Sequence, residues 1–339
     1  KPAAFPRFPL FAKDIGDIIF TSRLPAPSRE RQAGGKKTIG CSISAGLKGG
    51  NCASFTLMPH NREFPMSMAG IEVSVDGTPV IVNVNMGTYG LNSALTNTMC
   101  FEDGGMLTQG QYLNGDVGPE KSAYIRRCLI TDRFIYAHTV LTDCLQPKLG
   151  IRRAERILIA DYRGGAMVLA DSFEGSKPIR FATHLHCSGS VKELGKASYR
   201  LTGGQANLIA GIKGGSKGLD DQERGEIFVT LLNAMCDHRV IVEEPHWIPG
   251  YIYGLNNTGK EGISQGRFPR YRRWRLETSQ PVPSGSFLFA LSAEPGAVTM
   301  EGDHVIFSRN AWARLASGKR FRMLGCECVA EAALVDDAA

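Results

Sequence analysis

His60-Asn61-Arg62 is the trio in this sequence best suited to gripping a carboxylate, since an imidazole moves protons while an amide and a guanidinium donate to carboxylate oxygens. The competing reading is an ordinary loop histidine beside a turn-forming asparagine. His184-x-His186 is spaced so that both rings share one face of a strand, where they either ligate one ion or lie side by side in a polar layer. No third ligand is visible beside them. The densest basic and aromatic run is Arg267-Phe268-Pro269-Arg270-Tyr271-Arg272-Arg273-Trp274-Arg275. Extended, it sets Arg270, Arg272 and Trp274 on one side and Tyr271, Arg273 and Arg275 on the other, which suits a polyanion groove. A solvated edge strand whose charges resist aggregation explains the run equally well. His246-Trp247 and Tyr251-x-Tyr253 offer aromatic faces that stack on sugar rings or pack half-buried at a turn.

Composition narrows the partners. A net charge of +6 over 339 residues draws the chain mildly toward polyanions without choosing among acidic polysaccharide, nucleic acid and anionic surface. The longest apolar runs, Ile81 to Val84 and Phe287 to Leu291, fall far short of the ~20 residues that span a bilayer as a helix, so no membrane partner is expected. No GxGxxG before a helix, P-loop, GxSxG elbow or HExxH occurs, and nucleotide binding is not expected. Nine cysteines without a CxxC pair read as small buried hydrophobes, and Cys326-x-Cys328 is too close for a zinc half-site. Lys1 in place of Met suggests a processed chain whose beginning is missing.

The elements that would hold these residues are strands. Short apolar runs alternate with Gly, Asn, Asp and Pro from Thr38 onward, the spacing of a large antiparallel multi-stranded β-sandwich. Ile71 to Val75 and Pro79 to Val84, joined by Asp76-Gly77, form the plainest hairpin, because Asp-Gly supplies the positive φ angles of a tight turn. Further strands are expected at Asp17 to Ser22, Ser122 to Ile130, Arg133 to Thr139, Arg153 to Ala160, Ala166 to Ser172 and Arg180 to Cys187. Glu226 to Cys236 fits a strand or a short helix, and Ala311 to Ala316 fits one helical turn. The expected organisation is an N-terminal strand with loose basic flanks (1–37), a main sandwich (38–265) and C-terminal strands that complete or extend it (266–339).

An ordered series of short motifs carries a resemblance. Gly49-Gly50-Asn51 precedes Pro59-His60-Asn61; the pair Ala69 to Val73 and Asp76 to Asn83 follows, then Asn97-Thr98 and Asp103-Gly104. Arg152-Arg153 leads through Ile157-Leu158-Ile159 to Val168-Leu169-Ala170-Asp171, and Thr183 to His186 and Trp247 to Gly254 complete the series. Over roughly residues 15 to 295 the sequence resembles the C-terminal β-sandwich region of the heparinase II/III-like polysaccharide lyases, without their helical catalytic domain.

The resemblance implies the β-sandwich part of a lyase that cleaves acidic, uronate-containing polysaccharide by β-elimination, needing a helical domain or helical partner chain for activity. His60 matches the family's sandwich histidine and is the implied catalytic residue, with Asn61, Arg62, Trp247, Tyr251, Arg270, Arg272 and Arg273 as implied substrate-binding residues. The sequence also departs from the pattern. Arg62, Glu63 and Phe64 stand where the family has a second histidine and an aspartate, and Asn83 or Asn85 stands where its metal-binding aspartate falls. No metal is therefore expected, and a rearranged site would have to use His60, His138 or the His184/His186 pair. The cofactor is left open by the sequence. The alternative is a catalytically inactive carbohydrate-binding or structural β module of a larger assembly. Nucleic acid is not favoured as a partner, for want of a matching fold motif. An extracytoplasmic location, periplasmic or secreted, goes with the family.

Overall fold

The structure, a computed structural model, describes residues 10–12, 17–21, 39–44, 69–75, 78–81, 97–103, 106–109, 123–130, 134–161, 164–187, 189–195, 197–203, 225–243, 272–302, 304–308, 311–316 and 322–326. Its strands begin with β1 (Leu10–Ala12), β2 (Asp17–Thr21), β3 (Ile39–Ser44), β4 (Gly70–Val75), β5 (Thr78–Ile81), β6 (Met99–Asp103) and β7 (Met106–Gln109). Next come β8 (Tyr124–Ile130), β9 (Phe134–Val140), β10 (Ile151–Asp161), β11 (Ala166–Ile179), β12 (Phe181–Cys187), β13 (Val191–Gly195) and β14 (Ser198–Gly203). The last are β15 (Gly225–Ala234), β16 (His238–Glu243), β17 (Arg272–Thr278), β18 (Val282–Ser292), β19 (Thr299–Glu301), β20 (His304–Ser308), β21 (Ala311–Ala316) and β22 (Arg322–Cys326).

Among the described residues the strands form three antiparallel sheets. The front sheet runs β1-β2-β3-β4-β5-β12-β17-β16, with β6 paired to β12 and β7; the central sheet runs β13-β14-β15-β18-β11-β10-β9-β8; a small cap sheet runs β19 to β22. Period-two alternation explains how they stack. Leu158 and Ala160 of β10, Met167, Leu169 and Phe173 of β11, and Phe287, Phe289 and Leu291 of β18 all point toward the front sheet. There they meet Ile71 and Val73 of β4, Phe181 and Leu185 of β12, and Trp274 and Leu276 of β17. Phe181 stacks on Phe287 at 4.6 Å and Trp274 lies 5.8 Å from Phe289, so aromatic rings bridge the two layers. The alternate residues of the central sheet, among them Phe134, Tyr136, Ile157, Val168 and Leu288, pack with Val298, Val305 and Phe307 from the cap side. Because both faces are covered, β9 (FIYAHTV) is buried along its whole length.

One pair of charges sits inside the core between front and central sheets. Arg156 and Asp171 are cross-strand partners on β10 and β11, and both side chains are fully buried. Arg156 Nε and Nη2 donate to Asp171 Oδ1 and Oδ2, each at 2.7 Å, the two-point geometry that suits guanidinium and carboxylate. Arg156 Nη1 then reaches across to the front sheet, donating to the carbonyls of Ala69 (2.6 Å) and Asn97 (2.8 Å). Thr183 of β12 returns the contact, its hydroxyl donating to Asp171 Oδ2. The pair is thus a polar rivet through the sandwich.

The expected antiparallel β-sandwich is borne out, and the hairpin strands, the β10–β11 unit and the strand carrying the histidine pair fall where the alternation placed them. The Asp76-Gly77 turn lies outside the described residues. Two expectations are corrected or resolved. Ala311–Ala316 is not a helical turn but a strand paired on both sides, with β20 and β22, so ladder hydrogen bonds override the helix propensity of its Ala, Leu and Arg. Residues 225–234 resolve as a strand between β14 and β18.

Removing one half of the rivet should cost far more than removing both. We expect R156M to lower unfolding free energy by about 3–5 kcal/mol, because it strands a buried carboxylate, while R156M/D171L recovers a large part of that loss. Urea unfolding of the three proteins checks this; equal losses in single and double variants would contradict it.

Candidate functional site

Alternation on β12 sends Phe181, Leu185 and Cys187 into the core, so His184 and His186 stand on the opposite, outer face of the front sheet. Both are fully buried there, with ring centroids 6.1 Å apart and ring planes at 89°. The shared face anticipated for the two histidines is what the strand provides. Asn97 fixes His186: its Oδ1 accepts from the His186 backbone N–H at 2.7 Å and lies 3.1 Å from the ring Nδ1. Asn97 Nδ2 donates to Ile71 O at 2.8 Å, and its own carbonyl receives Arg156. The rivet therefore also anchors the residue that orients His186. His184 Nδ1 is 3.6 Å from Cys100 Sγ on β6.

Register carries this face across the sheet. His186 lies opposite Arg273 and His184 opposite Arg275 on β17, while Glu243, Ile241 and Arg239 of β16 lie opposite Arg273, Arg275 and Glu277. The result is a ladder of alternating charge. Arg273 Nε donates to Glu243 Oε2 at 2.5 Å, and Arg275 Nη1 meets Glu243 Oε1 at 2.6 Å. Arg275 Nε contacts Glu277 Oε2 at 2.8 Å, and Arg239 Nε donates to Glu277 Oε1 at 2.6 Å. Arg180 adds a longer contact to Glu277 at 3.6 Å. Each of the two glutamates is shared by at least two arginines, which holds like charges side by side on one strand. Burial lowers the Arg273 pKa and the neighbouring Arg275 adds to that, opposed by Glu243. Burial also pushes the Cys100 thiol up to about 12, against the pull of Arg273, Arg156 and Arg275. Cys100 is thus an inert thiol at neutral pH, not a nucleophile.

A second cluster lies on the cap side of the central sheet. His138 of β9 points the same way as Phe134 and Tyr136, toward the cap side of the central sheet. Its Nε2 lies 3.5 Å from Oε1 of the buried Glu155, which Arg153 Nε also meets at 2.5 Å and Arg126 Nη1 at 3.5 Å. Burial pushes the Glu155 carboxyl up, but the hydrogen bonds from His138 and Arg153 outweigh it, and the pKa falls below its ordinary value.

Of the residues implied as catalytic or substrate-binding, Arg272 and Arg273 are described, and they take opposite sides of β17. Arg272 Nη1 donates to Gly189 O at 2.6 Å; Arg273 joins the ladder. His60, Asn61, Arg62, Trp247, Tyr251 and Arg270 lie outside the described residues. For Arg272 to Arg275 the edge-strand explanation is excluded, because β17 is flanked on both sides, by β12 and β16; the rest of the basic run lies outside the described residues. Trp274 is fully buried in the core. His138 and the His184/His186 pair lie on opposite sides of the core between front and central sheets, so they do not share a site; no group of three metal-ligating residues occurs among the described residues, and His60 lies outside them. Sequence reading missed Glu243, Arg239 and Glu277, whose signal is the alternation of HRVIVE against RRWRLET.

No protein-family model matches the sequence, and neither does any curated protein. Solved structures do match in fold. The chain is similar to heparan sulfate lyase HepC from Pedobacter heparinus, with a TM-score of 0.54 and 9% identity, over 92% of this chain and 41% of that one. It is likewise similar to the Heparinase III-BT4657 gene product, with a TM-score of 0.53 and 9% identity, again over 92% of this chain and 41% of that one. The chain is thus a β-sandwich of the fold found in heparinase III structures, spanning about two fifths of their length.

Two outcomes follow from the buried groups. Iodoacetamide should leave Cys100 unmodified in the folded protein at pH 8 and label it after denaturation, read by peptide mass spectrometry; labelling at the rate of an exposed thiol would contradict its burial. For Glu155, a pKa lowered in the folded state contributes stability that is complete above the ordinary carboxyl value of 4.5 and is lost as pH falls through the folded value. E155Q should therefore be less stable than wild type at pH 7, with the gap closing on acidification in urea melts.

Proposed function

We propose that this chain is the β-sandwich part of a lyase acting on acidic, uronate-containing polysaccharide, completed by a helical domain or a helical partner chain. The observation that carries the reading is the fold likeness to a heparan sulfate lyase over 92% of this chain. The chain covers 41% of that enzyme, which leaves room for the remaining machinery elsewhere. The arginines of β16 and β17 on the front sheet, Arg239, Arg273 and Arg275, are the kind of cation an acidic sugar chain calls for.

In the proposed reaction a base removes the C5 proton of the uronate, the electron pair forms the C4–C5 double bond, and the C4–oxygen bond breaks as an acid protonates the leaving oxygen. Neutralising the carboxylate lowers the cost of the enolate-like charge at C5. His60 is the candidate for proton movement on this chain, with Asn61 and Arg62 holding the carboxylate. Trp247 and Tyr251 supply stacking faces, and Arg270, Arg272 and Arg273 meet the acidic groups of the polymer. An extracytoplasmic location fits such a substrate.

A second reading is favoured by the departures at Arg62, Glu63 and Phe64: an inactive carbohydrate-binding or structural module of a larger assembly. The lyase and carbohydrate-binding readings require binding, a purely structural module does not, and only the lyase reading requires turnover once a helical chain is present.

The test is binding of heparan sulfate fragments at two salt concentrations, with neutral dextran as control. Wild type should bind the acidic polymer alone, and R270A/R272A should bind more weakly with a flatter salt dependence, since each lost cation removes a screened contact. The chain by itself should release no unsaturated uronate product. Equal affinity for dextran and heparan sulfate would sink the proposal, and product formation by the chain alone would remove the need for a helical part.

A further inference from the structure

We infer that the end of the central sheet where β8 and β10 begin and β11 ends is a second contact surface for an acidic polysaccharide chain, separate from the front-sheet ladder. The inference rests on the proposed polysaccharide function and adds where else on the molecule the polymer is held. Six cations gather there: Arg126 and Arg127 on β8, Lys148 in a 3-10 turn (Pro147–Leu149), Arg152 and Arg153 on β10, and Lys177 on β11. Arg127, Lys148, Arg152 and Lys177 are exposed, and the Arg126 side chain is 43% exposed.

Two features make this a built surface and not a scatter of solvated charges. The first is Glu155, a buried carboxylate that takes Arg126 and Arg153 on one oxygen, so that both guanidinium groups are held at the rim with their positions fixed before a ligand arrives. A lowered Glu155 pKa keeps that anchor charged at neutral pH. Ordering long side chains in advance reduces what binding must later spend on them.

The second is a tight crossing of two chain segments at Gly150. Its φ of +69° favours glycine, and the Ser176 side chain closes to 2.5 Å from where a Cβ would lie. Ser176 N donates to Gly150 O at 2.7 Å, the Lys177 stem passes 3.6 Å from the same point, and Lys177 Nζ donates to Lys148 O at 3.1 Å. The Lys177 ammonium is thereby held at the backbone of Lys148. At ~3.3 Å per strand residue, the distance along β10 from Gly150 to Glu155 is roughly 16 Å, so the cations form a band and not a single point. A linear polymer with a carboxylate or sulfate on successive sugars matches a band; a lone small anion does not need one.

The experiment compares R152E/K177E with the charge-matched K192E/R200E, whose residues lie on β13 and β14 at the far edge of the same sheet. Heparan sulfate fragments are the probe, binding is measured at two salt concentrations, and thermal melts confirm that each variant is folded. The expected result is binding roughly tenfold weaker, with a smaller salt slope, for R152E/K177E, and a much smaller change for K192E/R200E. Equal weakening in both variants would show a general charge effect and overturn the inference. So would wild-type affinity in R152E/K177E alongside weakened binding in R270A/R272A, an outcome that leaves the proposed function standing. Failure of wild type to bind any acidic polymer would overturn both.

Discussion

A guanidinium and a carboxylate buried between two sheets are the constraint on which the rest of this structure depends. Taking Arg156 and Asp171 out of water is costly, and the cost is offset only because four donors of the arginine and both oxygens of the aspartate find partners. Those partners come from β10, β11, β12, the start of the β4 segment and Asn97, so the ions are satisfied only when front and central sheets meet in a single register. An apolar interface could slide by two residues and keep its alternation; this one cannot without stranding a charge.

The same registration sets what the outer faces display. With Phe181 and Leu185 committed to the core, His184 and His186 have to face outward, and β17 follows with Trp274 and Leu276 in, Arg273 and Arg275 out. Asn97 couples the two levels directly, since one residue accepts from Arg156 in the core and holds His186 on the face. The charge ladder on the front sheet and the Glu155 cluster on the cap side are therefore consequences of one packing solution. The central sheet, covered on both faces, is the rigid plate between them.

Much of this was legible in the residues, and the exceptions have physical reasons. Strand alternation located the hairpin, β10, β11 and β12, and the two-residue spacing of the histidines gave their common face. Arg152-Arg153 drew notice as the arginines of the β10 unit, yet the structural arginine is Arg156, in the middle of the apolar run and opposite Asp171. A charge at a strand's start is ordinary, whereas one at its centre matters only once both faces are known to be buried. Glu243 and Arg273 are 30 positions apart in sequence, and nothing local marks them as partners. Only the pairing of β16 with β17 does so. The helix expected at Ala311–Ala316 came from propensity, which pairing on both edges overrode.

Under the proposed function, one fold presents arginine-rich surfaces to an acidic polymer at defined places. Hydrogen–deuterium exchange of the chain with and without a heparan sulfate fragment tests it most directly. Added protection should concentrate in β16 and β17 and around the starts of β8 and β10, while β14, β15 and β18 stay unchanged. Protection spread evenly over the three sheets, or none at all at saturating polymer, would contradict the account.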